Sequence, residues 1–480
     1  NLLAMGEARR LIKNTGIIAV GGMATKLVQF LLLPLYTSVL PPTEYGAVDY
    51  LNTIALFCVP VASLLMDEAL FRFLIDCETE EDRRRAVTAT VGVLALGCVL
   101  FAALMGVLEL VFHPDSFWWI VGLVYAGTML QMVSALLRGF GDTMGYSLAN
   151  FLASAVMIVL NVLFIAVFRW GVEGMLSATV IAQGGVALVF AVRKRVWRYV
   201  DLSLIDRAYM GRLIRYAVPL VPNKVSWTIM NMLDRLVIMV TLGPGAAGLY
   251  AVAYKFPNVM DQVYGFFYQS WKESSARSLN AEGDEVDFYD AIYRMLRRFM
   301  MSVVLGMTAL MPLVYDLMID WQYHEGILYV PILLLATFFS NISGFYGGIF
   351  TAHKDTKIMG TTTIVSALLC LVLNLVLIPS IGLYGASVAT LASMFVVNEY
   401  RRVKVRAYAR LTEDRREQAL TLLCFALVFG LFYVQAYVGG WWPLVGSIVV
   451  AAAFFVWANW TLMTRALAVS REVLVRRGDE

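Results

Sequence analysis

Charge is scarce in this sequence. Asp, Glu, Lys and Arg make up 15% of its 480 residues, against about 25% in ordinary soluble domains. That shortage excludes a water-soluble fold, a disordered chain and a nucleic-acid binder as first readings. Histidine is scarcer still: His113, His324 and His353 stand in three separate connections, so no local cluster for zinc or general-base chemistry forms. The five cysteines, Cys58, Cys77, Cys98, Cys370 and Cys424, show no CxxC or Cys/His spacing, and neither disulfides nor a metal site is expected. No cofactor motif is present. Long polar connections are also missing. The longest, near 194–212, 273–298 and 403–417, have room for a short surface helix and not for a soluble catalytic domain. The stretch from Asp284 to Arg298 mixes apolar and basic residues, which suits either a helix lying on the membrane surface or an extension of the next span.

What remains is apolar: 60% of residues are hydrophobic and the mean hydropathy is +0.71. A spanning helix needs about 20 mostly apolar residues. Fourteen such stretches lie near 15–40, 45–72, 87–112, 116–137, 144–168, 172–193, 213–242, 246–272, 299–318, 326–350, 358–379, 383–402, 418–438 and 441–464. The first follows Glu7, Arg9, Arg10 and Lys13 and exceeds the roughly 7–15 residues of a signal core; it reads as a span, not a cleavable leader. Alternate connections, together with the two ends, carry 32 of the 38 Lys and Arg residues, and the opposite connections carry one, Arg169. The imbalance predicts both termini on the cytoplasmic side and an even number of spans. The fold class is an all-α polytopic membrane protein.

The chain also repeats. Asp142-Thr143 stands 19 residues before Asn161, as Asp355 does before Asn374. Gly171 and Gly174 match Gly382 and Gly385, and Ala178-Thr179 match Ala389-Thr390. A fainter match pairs LPPTEYG at 40–46 with LGPGAAG at 242–248 through Pro42/Pro244 and Gly46/Gly248. Residues 1–200 are thus expected to form one six-helix lobe, 201–410 a related lobe of the same orientation, and 411–480 two added spans with a tail. Parallel repeats of this kind commonly bind substrate between the halves. The Asp-Thr pairs suit short turns and Gly174 and Gly385 close helix approach.

Five basic residues fall inside spans: Lys26, Arg215, Lys224, Arg235 and Lys255. Arg215 is near a span end and snorkels; the others stand at depths where a charge costs about 3 kcal/mol. They sit on spans 1, 7 and 8, and the acidic residues Asp67, Glu68, Asp234 and Asp261 on spans 2, 7 and 8. Lys224, Thr228, Asn231 and Arg235 share one helical face, as do Lys26 and Gln29. The candidate substrate-binding residues are Lys26, Gln29, Arg72, Lys224, Asn231, Arg235 and Lys255. Asp67, Asp234 and Asp261 are candidates for ion coupling or charge pairing, and Asp67 with Arg72 for a pair near the end of span 2. More fixed positive than negative charge points to an anionic ligand such as a phosphate. Prolines at 34, 60, 219, 222 and 257 fall in these spans, where they kink helices.

The opening NTGIIAVGGMATKLVQFLLLPLYTSVLPPTEYGAVDY, the MDEALFRFL segment at 66–74, RGFGDT at 138–143 and AHKDT at 352–356 resemble the Wzx-like polysaccharide flippases. These belong to the multidrug/oligosaccharidyl-lipid/polysaccharide (MOP) exporter superfamily. The second repeat copy also resembles the lipid II flippase branch. The resemblance implies two six-helix lobes around a cavity and alternating access. Its implied cargo is a polyprenyl-linked glycan carried from the inner to the outer leaflet of the cell membrane. Lys26, Arg72 and Lys255 would engage lipid phosphates, and the added spans would flank a lipid tail. The implied partners are membrane lipids, the lipid-linked glycan, and glycosyltransferases or a polymerase of the same pathway, with no nucleic acid and no cofactor. The energy source would be the membrane potential or a proton or sodium gradient. The alternatives weighed are a multidrug or metabolite antiporter of the same superfamily and a membrane-embedded transferase. The first normally has acidic key charges and twelve spans; the second needs a His or carboxylate cluster that the sequence does not supply.

Overall fold

The computed structural model describes residues 30–112, 116–278, 285–353, 355–412 and 414–478. These form helices and short connections, with no strand among the described residues. Lys26 and Gln29 lie outside them. Contacts divide the chain into two compact units, Asn1–Gly248 and Leu249–Glu480.

In the first unit, α1 (Leu33–Val39) leads through Leu40 and Pro41 into α2 (Pro42–Ser63), which Pro42 opens at its first position, where a missing N–H costs nothing. The second expected span does not run unbroken. Leu64 and Leu65 both take left-handed backbone angles, φ 50° and 51°, before α3 (Met66–Ile75) resumes. Then come α4 (Glu80–Phe112), α5 (Phe117–Gly139) and α6 (Thr143–Asn161), the last continued by a π-helical turn at Val162–Val167. α7 (Gly171–Arg193), α8 (Arg207–Ala217) and α9 (Leu220–Leu242) complete the unit. α5 is the central helix: it packs on α2, α3 and α7, while α9 packs on α2.

The second unit holds α10 (Pro244–Ser278), whose first residues up to Gly248 still belong to the first unit, α11 (Glu285–Met318), α12 (Val330–Ala352), α13 (Thr356–Ile381), α14 (Leu383–Val405), α15 (Arg415–Val438) and α16 (Trp441–Gly478). α11 is one continuous helix, so residues from Glu285 extend the next span and do not form a separate surface helix. α15 and α16, the added pair, dock on α11. Arg298 clasps Glu417 through Nε at 3.0 Å and Nη2 at 2.5 Å, and Asn459 Nδ2 donates to Ser302 Oγ at 2.9 Å.

Ten helices among the described residues are long and apolar enough to cross a membrane. The chain is a multi-pass membrane protein. Three further expected spans, the seventh, eighth and twelfth, are helical at α9, α10 and α14 but miss that count. Two of them carry the deep charges, which lower their hydropathy.

The repeat is visible in backbone geometry. Gly171 and Gly382, matched in sequence, both have positive φ, 58° and 63°, a conformation that a Cβ disfavours. Asp142 and Asp355 both stand at helix N-caps, ahead of α6 and α13. Asp142 accepts from Gly145 N at 2.8 Å. Asp355 instead accepts from Tyr408 Oη at 2.7 Å.

Candidate functional site

Helices of the first unit line a half-open cavity of about 430 Å³. The break between α2 and α3 precedes two of its lining residues, Asp67 and Glu68. A helix break leaves N–H and C=O groups without partners, and in a bilayer such backbone is tolerated only inside protein or along a cavity. Here Ser63, Leu65 and Met66 are buried, and Ser63 Oγ accepts from Leu65 N at 3.2 Å. α3 begins beside the cavity with Asp67 and Glu68 in its first turn, where negative charge complements the helix dipole. Asp67 Oδ1 is buried without a hydrogen-bond partner.

The walls are built from helical spacing. Gln131, Ser134 and Arg138 lie on one face of α5, Tyr146 and Asn150 on one face of α6, and Thr179 and Gln183 on one face of α7; Asn52 comes from α2. Asn150 Nδ2 donates to Tyr146 O at 2.9 Å and Ser134 Oγ at 3.2 Å. Asn52 Nδ2 donates to Val48 O at 2.9 Å, and Thr179 Oγ1 to Met175 O at 3.0 Å. The Arg138 guanidinium lies 3.9 Å from the Phe71 ring centroid and 5.5 Å from that of Tyr146, a cation–π arrangement. It has no carboxylate partner among the described residues.

The predicted residues are dispersed. Arg235 on α9 is committed to Asp49 on α2, its Nη1 at 3.1 and 3.3 Å from the two carboxylate oxygens. Both side chains are only 13–14% exposed. Asp234 is buried, and its Oδ1 accepts from Arg235 N at 2.9 Å. Arg72 pairs with Asp76 at 2.7 Å and not with Asp67, because a separation of four residues aligns side chains on a helix face and five does not. Lys224 is exposed on α9 and lies within electrostatic reach of Asp67. Asn231 is on α9; its side chain is outside what the structure describes. In the second unit Lys255 is partly buried on α10, and Asp261 on the same helix lies beside Asn341 of α12. The structure therefore brings Asp67 and Lys224 into one neighbourhood and ties Arg235 elsewhere.

Close to the Asp49–Arg235 pair, the faint LPPTEYG/LGPGAAG match becomes a contact. A Cβ on Gly46 would collide with Pro244 O and stand 2.6 Å from Gly248 N, and one on Gly248 would collide with Pro42 O. The two glycine turns lie backbone against backbone.

Sequence reasoning missed Asp49, three residues after Gly46 and outside the set of deep acids. It also missed Gln131 and Gln183, whose three- and four-residue spacings to Ser134 and Thr179 were the available signal. Arg401, counted with a basic loop, is buried on α14. It donates to Thr362 Oγ1 at 2.9 Å and Ser343 O at 3.2 Å, joining α14 to α12 and α13. No group of three or more His, Cys, Asp or Glu suited to a metal occurs among the described residues.

The profile of the family described as "Polysaccharide biosynthesis protein" matches residues 11–271, more than half of the chain. A search of curated protein sequences found no significant match. Among solved structures, the lipid II flippase MurJ in an inward closed conformation is 12% identical at a TM-score of 0.68, over 94% of this chain and 99% of that one. An inward-facing multidrug resistance MATE transporter of the MOP superfamily is 15% identical at 0.63, over 81% and 98%. The outward-facing conformation of a MATE family transporter is 16% identical at 0.53, over 82% and 96%. At these identities the likenesses establish a shared fold. The chain belongs to the polysaccharide biosynthesis protein family.

Proposed function

We propose that this protein is a flippase that moves a polyprenyl-phosphate-linked glycan from the inner to the outer leaflet by alternating access, and is not an enzyme. The observation that carries this reading is the polysaccharide-family match over 11–271 on a fold that also serves the lipid II flippase MurJ. The MATE likeness is one of fold alone. The 32-to-1 charge asymmetry supports cytoplasmic termini and fourteen spans in the cell membrane. The lobes would be 1–200 and 201–410 and the added pair 411–480.

Lys26, Arg72, Lys224 and Lys255 would meet the anionic head group, and Arg235, already paired with Asp49, would do so only when that pair opens. An inside-negative potential favours outward movement of an anion by about 2.3 kcal/mol per charge per 100 mV, which makes a phosphate-bearing substrate partly self-driving. Asp67, Asp234 and Asp261 are the acids available for proton or sodium coupling. Lys26→Gln, Lys224→Gln and Lys255→Gln should each abolish glycan export by cells while leaving folded protein in the membrane. Full export by all three would overturn the cationic-site reading.

A further inference from the structure

The cavity of the first unit has a chemistry of its own. A phosphate site concentrates positive charge, and here α3, which begins at the cavity, brings Asp67 and Glu68 instead. A lipid-tail site would be apolar, yet amides and hydroxyls enter from α2, α5, α6 and α7. A bare cation site would draw on carboxylates, but most of the polar lining is uncharged and the one cation among the described lining residues, Arg138, is held over two aromatic rings.

The lining alternates acceptors and donors. Asp67 Oδ1 is a buried acceptor with nothing to accept. Gln131 and Gln183 border the cavity with no hydrogen bond to another described residue, so each presents one acceptor and two donors. The amide nitrogens of Asn52 and Asn150 are used within the protein, leaving their carbonyl oxygens for a ligand. Apolar surface from Leu56, Val59, Leu123 and Leu130 fills the space between these groups. Gly127 lets Gln183 lie close to α5: a Cβ there would be 3.4 Å from Gln183 Oε1.

A ligand that satisfies this set carries several hydroxyls, each able to donate and accept, on a compact ring with C–H faces. The volume falls within the roughly 300–1,000 Å³ of small-molecule sites. We propose that this cavity binds one pyranose unit, and that it reads a sugar of the glycan on the transported lipid. The second half of the statement rests on the flippase reading; the first does not.

The test has two arms on the full-length protein in nanodiscs or proteoliposomes. In the first, saturation-transfer NMR with free hexoses, N-acetylhexosamines and hexuronic acids detects binding to wild type. The Gln131→Leu/Gln183→Leu variant should lose the signal at least five-fold while keeping its size-exclusion profile and melting temperature. In the second, flipping of a sugar-bearing polyprenyl diphosphate should fall at least five-fold in that variant, and flipping of the sugar-free lipid should stay unchanged. No saturation transfer to wild type from any of these sugars, or equal transfer to wild type and variant, overturns the pyranose site. Equal loss for both lipids shows that the cavity acts on folding or gating and overturns the link to cargo. If wild type flips neither lipid, the flippase reading fails, and the NMR arm still decides the sugar site. Should Gln131→Leu/Gln183→Leu fold poorly, Gln131→Glu/Gln183→Glu, which keeps size and removes donors, takes its place with the same expected losses.

Discussion

Removing the Asp49 carboxylate should destabilise the first unit more than any other single charge deletion in it. The pair with Arg235 has side chains 13–14% exposed and two contacts from Nη1 at 3.1 and 3.3 Å. At a charge separation of about 4 Å and an effective dielectric of about 20, the attraction is about 4 kcal/mol. Taking away one member breaks the ion pair, and for buried pairs that typically costs about 3–5 kcal/mol. With some residual exposure, about 2–4 kcal/mol is expected for Asp49→Ala and for Arg235→Met. The double variant removes both charges together and should be no less stable than the worse single one. The assay is unfolding of the detergent-solubilised protein by SDS titration for all four members of the cycle, giving a coupling of about 1.5 kcal/mol or more. Single effects that add within about 0.5 kcal/mol, the behaviour of independent sites, would refute the claim that these side chains form one buried unit.

Gly46→Ala places a Cβ into Pro244 O and against Gly248 N, which are backbone atoms that cannot rotate away; a fall in melting temperature of several degrees is expected, and an unchanged one would contradict the close approach. Arg298→Ala removes the two-point clasp on Glu417, at about 1 kcal/mol because the arginine is partly exposed; faster proteolysis between α14 and α15 would report the loosened added pair. Asp142 is held below the usual carboxylate range, first by its hydrogen bond from Lys194 and then by the Gly145 backbone N–H. Because the folded value is depressed, the contribution is complete above the ordinary value of about 3.9 and is lost as pH falls toward the folded one. Lys194→Met should therefore lower the melting temperature at pH 7 and lower it less as the pH falls below about 4; an equal effect at every pH would show that packing, not charge, is at work.

The sequence made the large features legible because they rest on simple physics. Apolar runs of span length, basic residues gathered on alternate connections, and the matched Gly171/Gly382 and Asp142/Asp355 positions each follow from one local rule; the long apolar helices agree with the first and the paired backbone geometry with the last. The details that shape the site were hidden for equally physical reasons. Leu64-Leu65 reads as the middle of a span, and nothing in two leucines announces left-handed backbone; the break is imposed by the packing around it. Arg235 reads as a ligand cation until Asp49, 186 residues away in the chain, is seen beside it. Arg401 sits in a run of basic residues, and only the third dimension buries it. Gln131 and Gln183 carry no charge, so a search for expensive residues at depth passes over them although they border the cavity.

The central claim is that the protein carries a phosphate-linked glycan lipid across the bilayer. It is tested most directly by reconstituting the purified protein in liposomes with a fluorescent polyprenyl diphosphate bearing one sugar. Exposure of the lipid on the far leaflet is then followed with a membrane-impermeant quencher or sugar-modifying enzyme. The account predicts protein-dependent exposure, accelerated by an inside-negative potential and lost in Lys224→Gln. Exposure no faster than in protein-free liposomes, with the same preparation exporting a cationic drug instead, would contradict it.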